Sequence, residues 1–290
     1  LLFGLYYING MTLFDSIAHS FSTISTGGFS THNTSFAYFD SQAILVIAIV
    51  FMVLGSFPFL VLAQTNLKNP LATVKDHQVK IFLLILIISI ILIYFFARSF
   101  LNGSEINKII SISFNTISII SGTGFVSENF ENWGNYASVL FLILMFIGGC
   151  AGSTTGGLKV FRFQILFKYI SLHLKKMLQP HAVLVSHFNG KKIPESTYDS
   201  VMSFFFIYII TFAASALLLS FSGLDFLTSI SAAASAISNV GPGLGEIIGP
   251  EGNYSSLTNY SKLILTMTMF LGRLEMLTIF VLLLPSFWKN

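Results

Sequence analysis

A short, small-residue phrase ending in glycine recurs three times between long apolar runs, and no other feature constrains the fold of this chain as strongly. It reads SFSTISTGGF at Ser20–Phe29, TISIISGTGF at Thr116–Phe125 and AASAISNVGP at Ala233–Pro242. Aligned on Gly28, Gly124 and Gly241, each copy has a serine six residues earlier (Ser22, Ser118, Ser235). Each has an isoleucine four residues earlier (Ile24, Ile120, Ile237) and a second serine three residues earlier (Ser25, Ser121, Ser238). The phrase recurs after 96 and then 117 residues, which marks internal repeats of one supersecondary unit. A polar, glycine-ended segment between apolar runs has the form of a re-entrant loop lining an ion path.

The apolar runs need a solvent to match. The chain has 54% hydrophobic and 9% charged residues, where soluble domains carry about 25% charged residues. With a mean hydropathy of +0.79 and 31 phenylalanines, it reads as an integral membrane protein. The single Cys150 excludes an intrachain disulfide. Leu1–Ile8 is apolar and has no basic residue before it; it reads as the end of a span whose beginning is absent.

Charge-free stretches predict spans at Ser41–Leu67, Ile81–Ala97, Asn132–Leu158 and Ser200–Leu224, with a fifth, Leu263–Phe287, interrupted by Arg273 and Glu275. The resulting order is span, loop, span, three times over. Lys68–Lys80 and Lys159–Lys192 together hold ten basic residues, against Arg98, Lys108 and Lys262 in the segments carrying the phrases. Basic connections stay on the cytoplasmic side, so the three phrases are expected to open outward. The outer segments hold Asp15, Asp40, Glu105, Glu128, Glu131, Asp225, Glu246 and Glu251, an acidic surround that would concentrate cations. The extra length of the second interval falls in Leu158–Asp199, which reads as an amphipathic or surface helix through Leu178 followed by a turn at Gln179-Pro180.

A desolvated cation needs replacement oxygens, and backbone carbonyls supply them where non-helical chain faces a pore. Asp15–Ser25, Ile109–Ser121 and Asp225–Ser238 are each expected to form a short descending helix. Thr26-Gly27-Gly28, Gly122-Thr123-Gly124 and Asn239-Val240-Gly241 would then present carbonyls to the ion. A second cluster, Gly148, Gly149, Gly152, Ser153, Thr154, Gly156 and Gly157, puts five glycines in ten residues inside a predicted span. That density should break a helix, and a broken intramembrane helix borders a permeation path or marks a helix end at the inner interface. Arg273 inside the last predicted span would be an electrostatic barrier in a cation path, a partner for Glu275, or a structural donor holding the glycine-rich segment. The histidines lack the spacing of a helical metal pair and read as structural.

Together STISTGGFSTH at Ser22–His32, SGTGF at Ser121–Phe125, GGCAGSTTGGLKV at Gly148–Val160, NVGPGLGE at Asn239–Glu246 and GRLEMLT at Gly272–Thr278 resemble the pore subunit of Trk/Ktr-type potassium transporters, most specifically the Trk branch. The resemblance spans nearly the whole chain. It implies an all-α membrane protein of repeated span–pore loop–span units around a pseudo-fourfold ion pore, three of the four repeats being present. It divides the chain at 1–67, 68–178 and 179–290. It implies filter glycines at Gly28, Gly124 and Gly241, an intramembrane gating loop at Gly148–Gly157, a pore-facing Arg273, and potassium as the ion at the filter carbonyls with no covalent cofactor. It also implies a homodimer in a bacterial-type inner membrane, regulated by a cytoplasmic NAD- or ATP-binding subunit. A sodium- or proton-coupled symporter built from half-helices is the alternative. The chain has no HExxH, GxSxG or P-loop lysine motif, so an enzyme is not expected; nor is a nucleic-acid partner.

Overall fold

The computed structural model describes residues 1–65, 72–182, 184–274 and 276–288. These residues are helical apart from loops and one antiparallel hairpin, which pairs His187–Phe188 with Lys191–Lys192. The helices are α1 Leu2–Ile8, α2 Leu13–Ile24, α3 Gln42–Gly55, α4 Phe59–Gln64, α5 Ala72–Lys75, α6 His77–Ala97 and α7 Glu105–Ile120. They continue with α8 Asn135–Met145, α9 Val160–Leu178, α10 Glu195–Phe221, α11 Phe226–Ser238, α12 Asn259–Arg273 and α13 Met276–Leu283.

Of these, α6 and α10 are long and apolar enough to cross a bilayer, and α12 with α13 makes a third span if the bent pair counts as one. α6 exposes Leu84, Ile87, Ile88, Ile91 and Phe95, and α10 exposes Phe206, Ile209, Ile210 and Leu217. Faces of this kind suit lipid tails, and the chain is a membrane protein of helical fold.

The other predicted spans are shorter in helix than in apolar sequence. Ser41–Leu67 was expected to be continuous, yet α3 stops at Gly55 and α4 starts only at Phe59. Pro58 has no N–H to continue the ladder, and the Ser56 carbonyl instead accepts the Cys150 N–H at 3.0 Å. At 1.5 Å per residue, α3 reaches only about 21 Å, short of a hydrocarbon layer of about 30 Å. Leu263–Phe287 likewise divides, with α12 and α13 bent by 106°; Glu275 lies outside the described residues, as does Lys68. Asn132–Leu158 contains only α8 before the glycine cluster leaves helical geometry.

α2, α7 and α11 are the helices that carry the repeated phrases. Each starts at a side-chain cap. Thr12 Oγ1 accepts the Asp15 N–H at 3.1 Å, Ser104 Oγ the Asn107 N–H at 3.3 Å, and the Asp225 carboxylate the Thr228 N–H at 3.1 Å. The Ser104 cap explains why α7 begins four residues before the expected Ile109. Asp225→Ala should cost about 1 kcal/mol, the usual value of such a cap. It should be read as a lower melting temperature of the solubilised protein, and an unchanged melt would show that the cap contributes nothing.

α11 packs between α10 and α12, while α7 packs against α3 and α6. Ser231, Ala232, Ala233, Ala234, Ser235 and Ala236 on α11 are all buried; small side chains let the neighbouring backbones approach. Hydroxyl pairs join these helices in apolar surroundings: Tyr208 with Ser238 at 2.7 Å, Ser215 with Thr268 at 2.8 Å and Ser222 with Ser261 at 2.8 Å. Beside α7, Phe36 and Phe125 stack tilted at 4.4 Å, so the residue after Gly124 is anchored in the aromatic core.

Candidate functional site

The three phrase helices end alike, at equivalent residues. The Ser22 carbonyl accepts the Gly27 N–H at 2.7 Å, Ser118 that of Thr123 at 2.9 Å and Ser235 that of Val240 at 2.9 Å. Just before each donor lies a left-handed residue: Thr26 at φ 49°, Gly122 at 64° and Asn239 at 55°. A six-to-one bond over a left-handed residue is the Schellman helix end. Gly28, Gly124 and Gly241 then return to positive φ, at 70°, 81° and 117°, while the residue between does not share it. Left-handed residues alternating with ordinary ones turn successive peptide units so that their carbonyls can face one side, as a row of coordinating oxygens requires.

The phrases also stand side by side in chain order. A Cβ on Gly28 would lie 1.9 Å from the Thr123 carbonyl oxygen, and one on Gly124 would lie 1.9 Å from that of Val240. In each case the neighbour is the residue preceding the aligned glycine of the next phrase. Gly241, last in the series, meets only the Gly124 Cα, at 3.8 Å. Gly27, Gly28, Thr123, Gly124, Val240 and Gly241 line one cleft of about 280 Å³.

Each phrase helix is pinned to the chain that climbs away from it, by a different chemistry each time. His19 joins the Asp15 carbonyl through Nδ1 at 2.8 Å and the Ser30 hydroxyl through Nε2 at 2.9 Å. Asn115 donates to Ser127 Oγ at 2.8 Å and accepts the Ser127 N–H at 3.2 Å. Ser231 donates to the Leu244 carbonyl at 3.0 Å and accepts its N–H at 2.9 Å. In the first turn of α2, burial alone would raise the Asp15 carboxyl. Hydrogen bonds from Thr31 and Thr12, with the His32 imidazole 3.3 Å away, outweigh burial and hold it below the usual carboxylate range. That stabilisation is present above the ordinary carboxylate pKa and is lost as pH falls through the depressed one.

The second glycine cluster crosses beneath the phrases. Thr154 Oγ1 lies 3.1 Å from Thr26 Oγ1, 3.1 Å from the Gly55 carbonyl and 3.4 Å from that of Ile24. A Cβ on Gly156 would come within 2.2 Å of the Ser238 carbonyl, and one on Gly122 would lie 3.6 Å from the Gly156 nitrogen. The segment therefore touches all three phrases. Its own turns are held by Ser153 Oγ donating to the Cys150 carbonyl at 2.6 Å and by the Gly149 N–H donating to Thr155 Oγ1 at 3.1 Å. Gly148 and Gly157 back onto each other, a Cβ on Gly157 lying 3.2 Å from the Gly148 Cα. The Gly152 carbonyl accepts the Phe59 N–H at 3.0 Å. Arg273 Nη1 donates to the Thr154 carbonyl at 3.0 Å, and Arg273, Gly272 and Ser153–Gly157 line a cavity of about 100 Å³.

The profile of the TrkH family, described as cation transport protein, matches residues 6–289. The chain belongs to the TrkH family. Among TrkH-family relatives it is 38% identical over 287 residues to the Trk system potassium uptake protein TrkI of Halomonas elongata, covering 98% of this chain and 58% of that protein. It is 36% identical over 289 residues to the Trk system potassium uptake protein TrkH of Vibrio parahaemolyticus, covering 98% and 59%. The crystal structure of the potassium transporter TrkH from Vibrio parahaemolyticus superposes with a TM-score of 0.92 at 35% identity, covering 99% of this chain and 62% of that one. The chain thus spans about three fifths of the length of these TrkH-family relatives.

Two contacts in this TrkH-family site escape motif reading. The Tyr254 hydroxyl donates to the Gly241 carbonyl at 2.7 Å. Glu131, expected only as part of an acidic surround, accepts the Gly245 N–H and so ties the chain after the second phrase to that after the third. Among the described residues, no group of three histidine, cysteine or carboxylate side chains could hold a metal.

Proposed function

We propose that the three phrases form three quarters of a potassium filter. Thr26-Gly27-Gly28, Gly122-Thr123-Gly124 and Asn239-Val240-Gly241 replace the ion's water with carbonyl oxygens. Residues 1–67, 68–178 and 179–290 act as three successive repeats around this pore, and a fourth phrase occupies the open side of Gly241. The observation that carries the reading is the stepwise contact of Gly28 with Thr123 and of Gly124 with Val240 around one cleft. The phrases face outward and the basic connections inward, in a bacterial-type inner membrane.

The Gly148–Gly157 segment acts as the gate. It lies across the inner ends of all three phrases, and it hangs from Gly55, Thr26 and Arg273 through Thr154. Arg273 adds a positive charge on the cytoplasmic side of the filter, a barrier to cations until the segment moves. The relatives' names, Trk system potassium uptake proteins, support potassium as the ion. They also support operation as part of a Trk system; in this reading the protein acts as a homodimer under a cytoplasmic NAD- or ATP-binding regulator.

Rubidium uptake by the full-length protein in sealed vesicles tests this reading. External potassium should compete strongly and sodium weakly, and flux should follow the potassium gradient alone. Equal competition by sodium, or flux that requires an imposed sodium or proton gradient, would overturn it in favour of a coupled symporter.

A further inference from the structure

Two clefts along α9 meet at the same pair of residues, Phe167 and Lys168; the first is almost wholly apolar, and the second mixes apolar with basic and hydroxyl side chains. The first, about 360 Å³, opens between α6 and α9 and is walled by Ile81, Ile85, Ile147 and Phe163. The second, about 340 Å³, continues along the same helix, where Lys168, Ser171, Lys175 and Ser186 stand among Leu172, Leu184 and Val185. Phe163, Phe167, Ser171 and Lys175 succeed one another at four-residue spacing, so one stripe of α9 changes from apolar to basic along its length.

Gln164, buried at 6% exposed, lines the apolar cleft and donates through Nε2 to the His77 carbonyl at 3.3 Å, which ties α9 to the start of α6. At the other end Lys168 donates to the His187 carbonyl. An ammonium has three donors, so this bond holds the head in place and leaves donors for an anion.

We infer that α9 and α6 together form a binding site for one anionic phospholipid of the inner leaflet. An acyl chain lies in the cleft between Ile81, Ile85 and Phe163, and the phosphodiester meets Lys168, Ser171 and Lys175. The sidedness follows from the chain itself, because Lys168, Lys175 and Lys176 belong to the basic segment expected at the cytoplasmic face, where anionic lipid is enriched. A lipid there braces the helix that leaves the Gly148–Gly157 segment, since α9 begins at Val160.

Native mass spectrometry of the full-length protein, delipidated in detergent and titrated with phosphatidylglycerol or phosphatidylcholine, tests the site without reference to ion flux. One tight phosphatidylglycerol adduct per chain is expected, with phosphatidylcholine much weaker. The double variant Lys168→Gln/Lys175→Gln should weaken the adduct by about tenfold, and Ile85→Trp should remove it by filling the apolar cleft. Both variants are checked for an unchanged melting temperature without lipid. Equal binding of the two lipids overturns the proposal, as does an adduct indifferent to both variants or displacement by inorganic phosphate. Crosslinks that place a second copy of the chain or a cytoplasmic protein over Phe167 would also overturn it.

Discussion

Gly124→Ala is expected to lose selective potassium uptake. Two independent costs meet at this residue. Its φ of 81° is one that an L side chain reaches only with strain, typically 1–2 kcal/mol. Its new Cβ would also lie 1.9 Å from the Val240 carbonyl oxygen and 3.0 Å from the carbon. The obstacle is backbone and has no rotamer to escape to, so the second and third phrases must separate. Preference for potassium over sodium should fall by about tenfold or more, the effect of about 1.4 kcal/mol at one ion site. Gly4→Ala, in α1 and outside the site, is the control, because its Cβ would meet nothing within 4 Å and its φ is not left-handed. Rubidium uptake with sodium competition, normalised to protein in the membrane, decides the matter. If Gly124→Ala transports as selectively as Gly4→Ala, the phrases do not form the filter.

Arg273→Ala should raise ungated flux. The side chain donates to the Thr154 carbonyl, and Thr154 in turn reaches Thr26, Gly55 and Ile24. In the proposed reading, removing it frees the segment beneath the filter and deletes a positive charge near the ion path. Two unit charges 4 Å apart repel by about 1 kcal/mol in water and about 4 kcal/mol at an effective dielectric of 20. Arg273 is exposed, so the lower figure governs, and a rise of about fivefold to tenfold is expected. Arg273→Gln separates the two roles, because it keeps a donor and loses the charge. Flux like that of Arg273→Ala assigns the barrier to charge, while flux like the parent's assigns it to the hydrogen bond. Unchanged flux in both variants would show that Arg273 guards nothing.

Much of this site is legible in the residues. The serine, isoleucine and glycine spacing marked three equivalent helix ends, because a Schellman end and a positive-φ glycine impose the same local chemistry wherever they occur. The cluster at Gly148–Gly157 announced its own departure from helix. What stayed hidden were contacts made once each. His19–Ser30, Asn115–Ser127 and Ser231–Leu244 do the same job with different side chains, so no motif links them. Tyr254 on Gly241 and Glu131 on Gly245 join residues far apart in the chain. The break after Gly55 was also missed. Hydropathy counts apolar residues, and Ser56-Phe57-Pro58 is apolar enough to pass, although Pro58 cannot continue a helix and the Ser56 carbonyl is claimed by Cys150.

The order of residues alone determined that this chain lives in lipid, that it repeats one unit, and that glycine must stand at three matched positions, since hydropathy and backbone sterics are local. Only the tertiary structure decided that those glycines abut each other's carbonyls in sequence and that the Thr154 segment lies beneath them. Close approach of distant backbones depends on how α3, α7, α10, α11 and α12 pack, and carbonyl oxygens, being the same in every residue, leave no trace in the sequence of which glycine they will meet.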